Sequence, residues 1–528
     1  MPGSSPFLAV DLASAGGEDV CIALATAQGV LNRQRPHMFL LWNARWDRHW
    51  ADWYADYGLE AEELGAWQAL ERVRTQFSGA VVWDPAFRAV LPLAVTLAGV
   101  HGVPALSPAL AERLGLPALE DLRARFADKR SLYEWAEREV WPRCRRTAVG
   151  SLSEGEAGQF NPMLCDYLAC HQSPVHNLSV NPATDWEPDF CHRLLHGMQP
   201  QALALGWHLP TDIEATYVDA CSRHGLVQIC SAAGSNLSFH QHLKAQAPLR
   251  QRHIRPQDVR LEKKVYVALC QTDGDALHSM CNLQQGHWAS AYRGSLPFGW
   301  QIAPRLAADL GPALLQYYYR TLTPNDCLVL GPSGIGYNYP SVQKDLDAYL
   351  TLTAAALEQT DTDSIWAINR TVRYGEPGYV IHRTSSGEIP FPIEGAGPNE
   401  EIKNRYGADW VDERSAGRYF ERCPQLIGCF QGFETIPKEE DRLIAGKPWV
   451  PTKVMIDSPE QGLRDIQAYL RGRPLPAFVA ATVNMCGPMN QRMFEKLLLL
   501  LPRLRALGYE ILRPDAFLLL RAKALAAT

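Results

Sequence analysis

The chain has 528 residues, of which 47% are hydrophobic and 20% charged, with a formal net charge of -6 at pH 7. That length can bury several cores and exceeds one ordinary domain, so two to four domains are expected. The acidic balance and the lack of any long Lys/Arg run exclude a basic footprint for nucleic acid.

The first basic residue is Arg33, so no positive leader opens the chain, and the longest apolar stretch, near residues 89–100, is too short to cross a bilayer. Thirteen cysteines without a CxxC pair fit reduced, buried thiols better than a disulfide framework or a structural zinc site. The expectation is a cytoplasmic protein with no membrane or nucleic-acid partner, its oligomeric state open.

In chain order, the first half alternates short apolar runs with helical spacing. Phe7-Val10, Met38-Leu41 and Ala80-Trp83 read as strands, and Glu18-Asn32, Trp46-Tyr57 and Ser131-Val140 as helices. A Gly/Ser/Glu-rich stretch at 150–159 and a polar segment at 250–260 suggest boundaries. We expect an α/β region over residues 1–258, with possible sub-domains 1–77, 78–155 and 156–258.

From residue 259 to 528 the rhythm is strand, loop, helix. Expected strands are Val265-Cys270, Cys327-Leu330, Ser364-Ile368, Leu426-Phe430, Lys453-Ile456, Ala477-Val483 and Tyr509-Leu512, which suggests an α/β fold with a C-terminal (β/α) barrel of seven or eight strands. In such barrels the chemistry sits on loops after the strands. The residues found there are Asp273-Gly274-Asp275, a loop from Ser333 to Pro340, Asn369-Arg370, Glu434, Asp457, Asn484 and Arg513-Pro514-Asp515. Strand interiors are apolar and strand ends polar; ordinary polar capping is the competing explanation.

Two carboxylates flanking a glycine repel each other, which separates their proton affinities and can furnish an acid and a base near neutral pH. Asp273 and Asp275 are therefore the leading catalytic candidates. A partner carboxylate would sit about 5 Å away for retention or about 6.5–9.5 Å for inversion at a glycosidic centre. Closure of a barrel would make the first and last strands neighbours, which favours Asp515 as that partner ahead of Glu394 and Asp457; the alternative for Asp515 is capping of the helix that follows. No cofactor is required. A divalent metal held by Asp273, Asp275 and His278 is the alternative, although no HxxxH accompanies them.

Supporting substrate contacts are Arg293 as an anion clamp, Trp300 as a stacking wall, and Asn369 and Asn484 at strand ends. Trp207 and Asn236, from the first half, are candidates for loops leaning over the barrel mouth. His240 and His242 share a face but lack a third ligand.

In the loop Gly334-Ile335-Gly336-Tyr337-Asn338-Tyr339-Pro340, glycines permit unusual backbone geometry. Proline extends Tyr339, and the two phenols offer amphipathic rings suited to a sugar-like small molecule. Ser333, Tyr337, Asn338 and Tyr339 are the substrate-binding candidates; packed tyrosines in a plain strand-to-helix connection are the competing reading.

The heptamer resembles the signature of the GxGYxYP family of proposed glycoside hydrolases. Leu24-Arg33, Asp121-Leu122-Arg123 with Asp128-Lys129, Gly206-Trp207, Asn236-Leu237-Ser238 and Asp273-Gly274-Asp275 resemble it in the same order. One departure is Ala276, where similar proteins tend to carry Asn. The resemblance implies a hydrolase acting on a glycosidic or similar polar bond by carboxylate acid/base chemistry. The alternatives are a cytoplasmic biosynthetic enzyme transforming a small metabolite or peptide, and a non-catalytic carbohydrate-binding protein.

Overall fold

The computed structural model describes residues 6–152, 160–180, 184–207, 214–231, 233–284, 286–369, 379–384, 387–392, 411, 413–432, 440–485 and 488–527. Arg370, Glu394 and Glu434 lie outside them. The chain divides into two compact units: residues 1–244 with 309–314 and 372–394, and residues 245–308 with 315–371 and 395–528.

The first unit holds three small parallel sheets. Strands β1 (Phe7–Asp11), β2 (Met38–Leu41) and β3 (Ala61–Gly65) order as β2-β1-β3, and β4 (Ala80–Val82), β5 (Ala105–Leu106) and β6 (Ala118–Asp121) as β5-β4-β6. The third sheet, β7 (Ala148–Leu152), β8 (Val175–His176), β9 (Leu203–Trp207) and β10 (Val227–Cys230), orders as β10-β9-β7-β8. It starts ahead of the expected 155/156 boundary. Runs such as MFLL in β2 are buried at every position, as befits parallel strands covered on both faces. Gly206 is obligatory: its φ is +105°, and a Cβ there would lie 1.9 Å from the Ser151 carbonyl oxygen.

The second unit is built on one large sheet. Its strands are β11 (Val265–Gln271), β12 (Phe298–Ile302), β13 (Asp326–Leu330) and β14 (Ser364–Ala367). After a hairpin of β15 (Tyr379–Thr384) and β16 (Gly387–Pro392), which belongs to the first unit, come β17 (Gly428–Gln431), β18 (Arg442–Ile444), β19 (Lys447–Pro451), β20 (Val454–Ile456), β21 (Ala477–Val483) and β22 (Tyr509–Leu512). The order is β18-β19-β17-β14-β13-β12-β11-β21-β20, with β22 also on β11; every pairing is parallel except β18 on β19. The pairings thus trace a path rather than a closed ring. Its two ends approach through sequence: between β19 and β20 lie only Thr452, whose N–H donates to Gln431 O, and Lys453, whose N–H donates to Ala480 O.

One face of this sheet carries the core. Tyr266, Ala268 and Cys270 of β11 cluster with Cys327, Val329, Trp366, Phe430, Val450, Phe478 and Ala480, and with Phe517, Leu518, Leu520 and Ala524 of the last helix, Pro514–Ala526. Alternate residues of each strand share a face, so these spacings define it. Trp366 stacks on Phe430 at 4.5 Å between ring centroids.

Three strands of this sheet, β12, β18 and β19, are absent from the sequence expectation. The segment Phe298–Ile302, which was not among the expected strands, is β12. Glycine is needed because a Cβ at 299 would meet Pro514 Cγ at 2.7 Å and Cys270 Sγ at 2.9 Å. β19 contains Pro448 and Pro451 yet pairs with β17 through Cys429, Phe430 and Gln431. The cysteines whose side chains are described are free thiols, all buried except the half-buried Cys21. Among the described residues no helix is long and apolar enough to cross a membrane.

Candidate functional site

The carboxyl ends of the parallel strands gather the polar residues of the second unit. After β11 the chain turns through Asp273, which sits at φ +57°, into Gly274, the buried Asp275 and the short helix Leu277–Cys281. After β13, Ser333 sits at φ +68° and Gly334 at φ +135°. Left-handed backbone at a non-glycine residue is uncommon and recurs at functional turns. Here it opens both motif loops.

The tyrosine loop is fastened to its surroundings. Ser333 donates its N–H to Trp366 O (2.8 Å) and its hydroxyl to Ile368 O (2.9 Å). Its own carbonyl accepts the Tyr419 hydroxyl at 2.6 Å. Tyr349 donates to Gly336 O at 2.7 Å, and the Ile335 N–H bonds Thr353 Oγ1 at 3.1 Å. Asn369, after β14, accepts the Ser341 N–H at 2.9 Å. Tyr337 and Tyr339 meet edge to face at 6.0 Å, and with Asn338 they are buried.

Between the two loops lies a residue that sequence reasoning did not single out. Gln301 of β12 pairs with Val329 and so faces the same side as the apolar cluster, toward the carboxyl ends. Its backbone oxygen is 2.7 Å from where a Gly274 Cβ would stand, and its side chain 2.9 Å from where a Gly331 Cβ would stand. It is fully buried, and neither Nε2 nor Oε1 has a hydrogen-bond partner among the described residues. An unpaired buried amide costs about 1–3 kcal/mol, so its presence calls for a reason. Gln271 donates Nε2 to Gln284 Oε1 while its own Oε1 has no partner among the described residues, and Gln284 donates to Gln301 O at 3.3 Å. The only sequence signal was a glutamine in each of two apolar runs, at the end of Val265–Gln271 and within Phe298–Ile302.

At the far side of β21, Asn484 donates Nδ2 to Asp457 Oδ1 at 2.7 Å, which ties the ends of β21 and β20 together. β21 in turn borders β11, and Thr272 joins the two by accepting the Met485 N–H at 3.0 Å. Asp273, Asp275, Asp457, Asn484, Gln301 and the tyrosine loop therefore all belong to carboxyl ends of this one sheet.

Three expected site residues of the second unit are placed elsewhere. Asp515 pairs with Arg513 at 2.8 Å and accepts the Ile254 and Ala516 N–H groups, while Arg513 also bonds Pro324 O, just ahead of β13. This is the amino-terminal end of the sheet. β22 does neighbour β11, but it pairs only with Val265 to Ala268, so the chain leaves the sheet before reaching the level of Asp273. Arg293 is committed to Asp326, Thr321 O and Trp288 O at the same amino-terminal end. Trp300 is fully buried on the outer face, donates to Asp326 Oδ1 at 2.8 Å and packs on Trp288, Phe298 and Phe494.

Asn236 belongs to the first unit, where Nδ2 donates to Leu40 O and Oδ1 accepts the Leu40 N–H and Gln28 Nε2. That network welds β2 to the helix Glu18–Leu31. Trp207 ends β9 of the same unit, and its side chain lies outside the described part.

Burial pushes the proton affinity of His278 down, against a smaller upward pull from Asp273, and its Nδ1 is buried without a partner among the described residues. No group of three His, Cys, Asp or Glu among the described residues is placed to hold a metal ion. His240, also buried, is pushed down to about 3 by desolvation and contacts the Tyr54 hydroxyl.

The chain matches the second and third domains of the GxGYxYP family at residues 77–144 and 147–242, and its "GxGYxYP putative glycoside hydrolase C-terminal domain" at residues 263–385. A solved structure described as a putative hydrolase from Bacteroides thetaiotaomicron VPI-5482 is similar, with a TM-score of 0.78 and 17% identity over 99% of this chain and 95% of that one. At that identity the likeness speaks for the fold. No curated protein matches. The three family matches together span more than half of the chain, which belongs to the GxGYxYP family.

Proposed function

We propose that the second unit is a hydrolase acting on a glycosidic or similarly polar bond, with Asp275 and Asp457 as the acid/base pair and Gln301 as a substrate-hydroxyl anchor. The observation that carries this reading is the unpaired Gln301 amide held between the Asp-Gly-Asp turn and the tyrosine loop. A sugar hydroxyl both donates and accepts, which is the complement a primary amide requires. The sheet path closes, in this reading, into a (β/α) barrel: residues 447–456 act as one strand whose first half pairs β17 and second half β21. The carboxyl-end loops then form its mouth.

Asp457 replaces Asp515 as the partner. Gln271, Val483 and Ile456 stand in register across β11, β21 and β20, so the two acidic loops are two strand spacings apart, roughly 10 Å at the backbone. Side chains leaning inward reach the separation of about 6.5–9.5 Å that leaves room for a water and gives inversion. Tyr337 and Tyr339 supply ring faces along the substrate.

A panel of aryl glycosides and short oligosaccharides tests this. Asp275→Asn and Asp457→Asn should each lower turnover about 10²–10⁴-fold while leaving KM nearly unchanged. An oligosaccharide that binds wild type and Asp275→Asn equally, with no product from either, would establish a binding protein instead.

A further inference from the structure

We propose that the first unit carries a second site, a pocket for a small, multiply charged anion of the phosphate class, which stands whether or not the hydrolase reading holds. A cavity of about 520 Å³ lies wholly within this unit, lined among others by Arg33, Arg145, His171, His242, Lys244 and Asp309. That volume falls in the usual range for small-molecule sites, roughly 300–1,000 Å³. The cations come from separate parts of the chain: Arg33 follows the helix Glu18–Leu31, Arg145 precedes β7, His171 follows the helix Cys165–Cys170, and His242 and Lys244 follow the helix Leu237–His240.

Three permanent cations thus face one carboxylate. Neither the Arg145 guanidinium nor the Lys244 ammonium has a hydrogen bond or ion pair among the described residues. Arg33 is fixed rather than free: Nη2 donates to Ala169 O at 3.1 Å and also to Gly99 O, while its buried Nε has no partner among the described residues. A guanidinium oriented by two carbonyls with a donor left over is a pre-set anion contact.

The histidines sense the same field. Burial lowers the proton affinity of His171; a hydrogen bond to Gln241 and the Asp309 charge oppose this, and Arg145 and His242 add smaller downward pushes. Burial also lowers His242, against its bond to the Asn32 carbonyl, with a smaller push from Lys244. Like charges held together without an ion between them are unfavourable, and a dianion relieves the repulsion. The net charge of -6 argues against a polyanionic macromolecule, and a concave pocket suits a small ligand.

The test is calorimetric titration of the full-length protein with inorganic phosphate, pyrophosphate and a hexose 6-phosphate. Sodium chloride at matched ionic strength and the uncharged hexose are the controls. Saturable binding of the phosphate compounds alone is expected, weakened about tenfold or more by Arg145→Ala and by Lys244→Ala and abolished in the double variant. Both side chains are exposed, and unchanged melting without ligand shows that the variants fold. Asp275→Asn should bind as wild type does, which separates this site from the proposed hydrolytic one. Tighter binding of the ester than of free phosphate assigns an organic phosphate, and equal binding assigns phosphate itself. Absence of saturable binding, equal effects of chloride, or variants that bind like wild type would overturn the proposal.

Discussion

At the scale of single residues, the proposed role of Gln301 sets function against stability. Gln301→Met keeps the volume and removes the unpaired amide, so thermal stability should hold or rise, by up to about 1–3 kcal/mol, while turnover falls at least tenfold. A melting curve and an activity assay on the same preparation decide it; lost stability with intact activity would make the glutamine structural. Asp515 is the converse case. With Arg513 and Asp515 6% and 1% exposed, Asp515→Ala strands a buried guanidinium and should cost about 3–5 kcal/mol in denaturant unfolding, with per-molecule activity of the folded fraction unchanged. The sequence marked Asp273 and Asp275 because a glycine between carboxylates is visible locally. It could not mark Gln301, because an unpaired amide is a property of neighbours 27 to 30 residues away.

The element that most directly shapes the site is the loop after β13, whose geometry rests on one glycine. At φ +135°, a Gly334 Cβ would also press Thr353 Oγ1 at 2.6 Å, so Gly334→Ala should destabilise by about 1–3 kcal/mol, measured by denaturant titration, and weaken substrate binding as the tyrosines shift. The heptamer was legible as a loop from its glycines and proline. Its anchoring by Tyr349, Thr353 and Tyr419 was not, since those partners arrive from two other helices. The last helix shows the same division. The sequence suggested only a helix after Asp515, whereas the tertiary fold seats Phe517 against Phe478 and Phe430. Loss of that ring in Phe517→Ala should cost about 3–5 kcal/mol by the same measurement.

For the whole molecule, two titrations, one at the partly exposed His253 and one at the buried Asp47, set distinct pH windows. His253 is raised to about 9, chiefly by its hydrogen bond to Asp363, so the stability it adds is fully present below its unfolded value of 6.5 and is lost as pH rises through about 9. The deficit of His253→Gln should therefore be largest near pH 6 and vanish by pH 10. Asp47 is raised to about 7 by burial, despite hydrogen bonds that oppose it; its contribution is fully present below 3.8 and lost as pH rises through about 7. Asp47→Asn should gain on wild type between pH 4 and 8 in thermal melts of the full chain, and a flat difference would contradict the assignment. What the sequence by itself determined are quantities set by near neighbours: the α/β rhythm, the apolar strands from Val265 to Leu512, the Asp-Gly-Asp turn and the tyrosine loop, all readable from periodicity and backbone chemistry. Only the tertiary structure decided which strand ends share a face. Strand register did that: β22 pairs too early along β11 to carry Asp515 to the site, and β12, not among the expected strands, brings Gln301 into it. Register depends on contacts hundreds of residues apart, which no local pattern encodes.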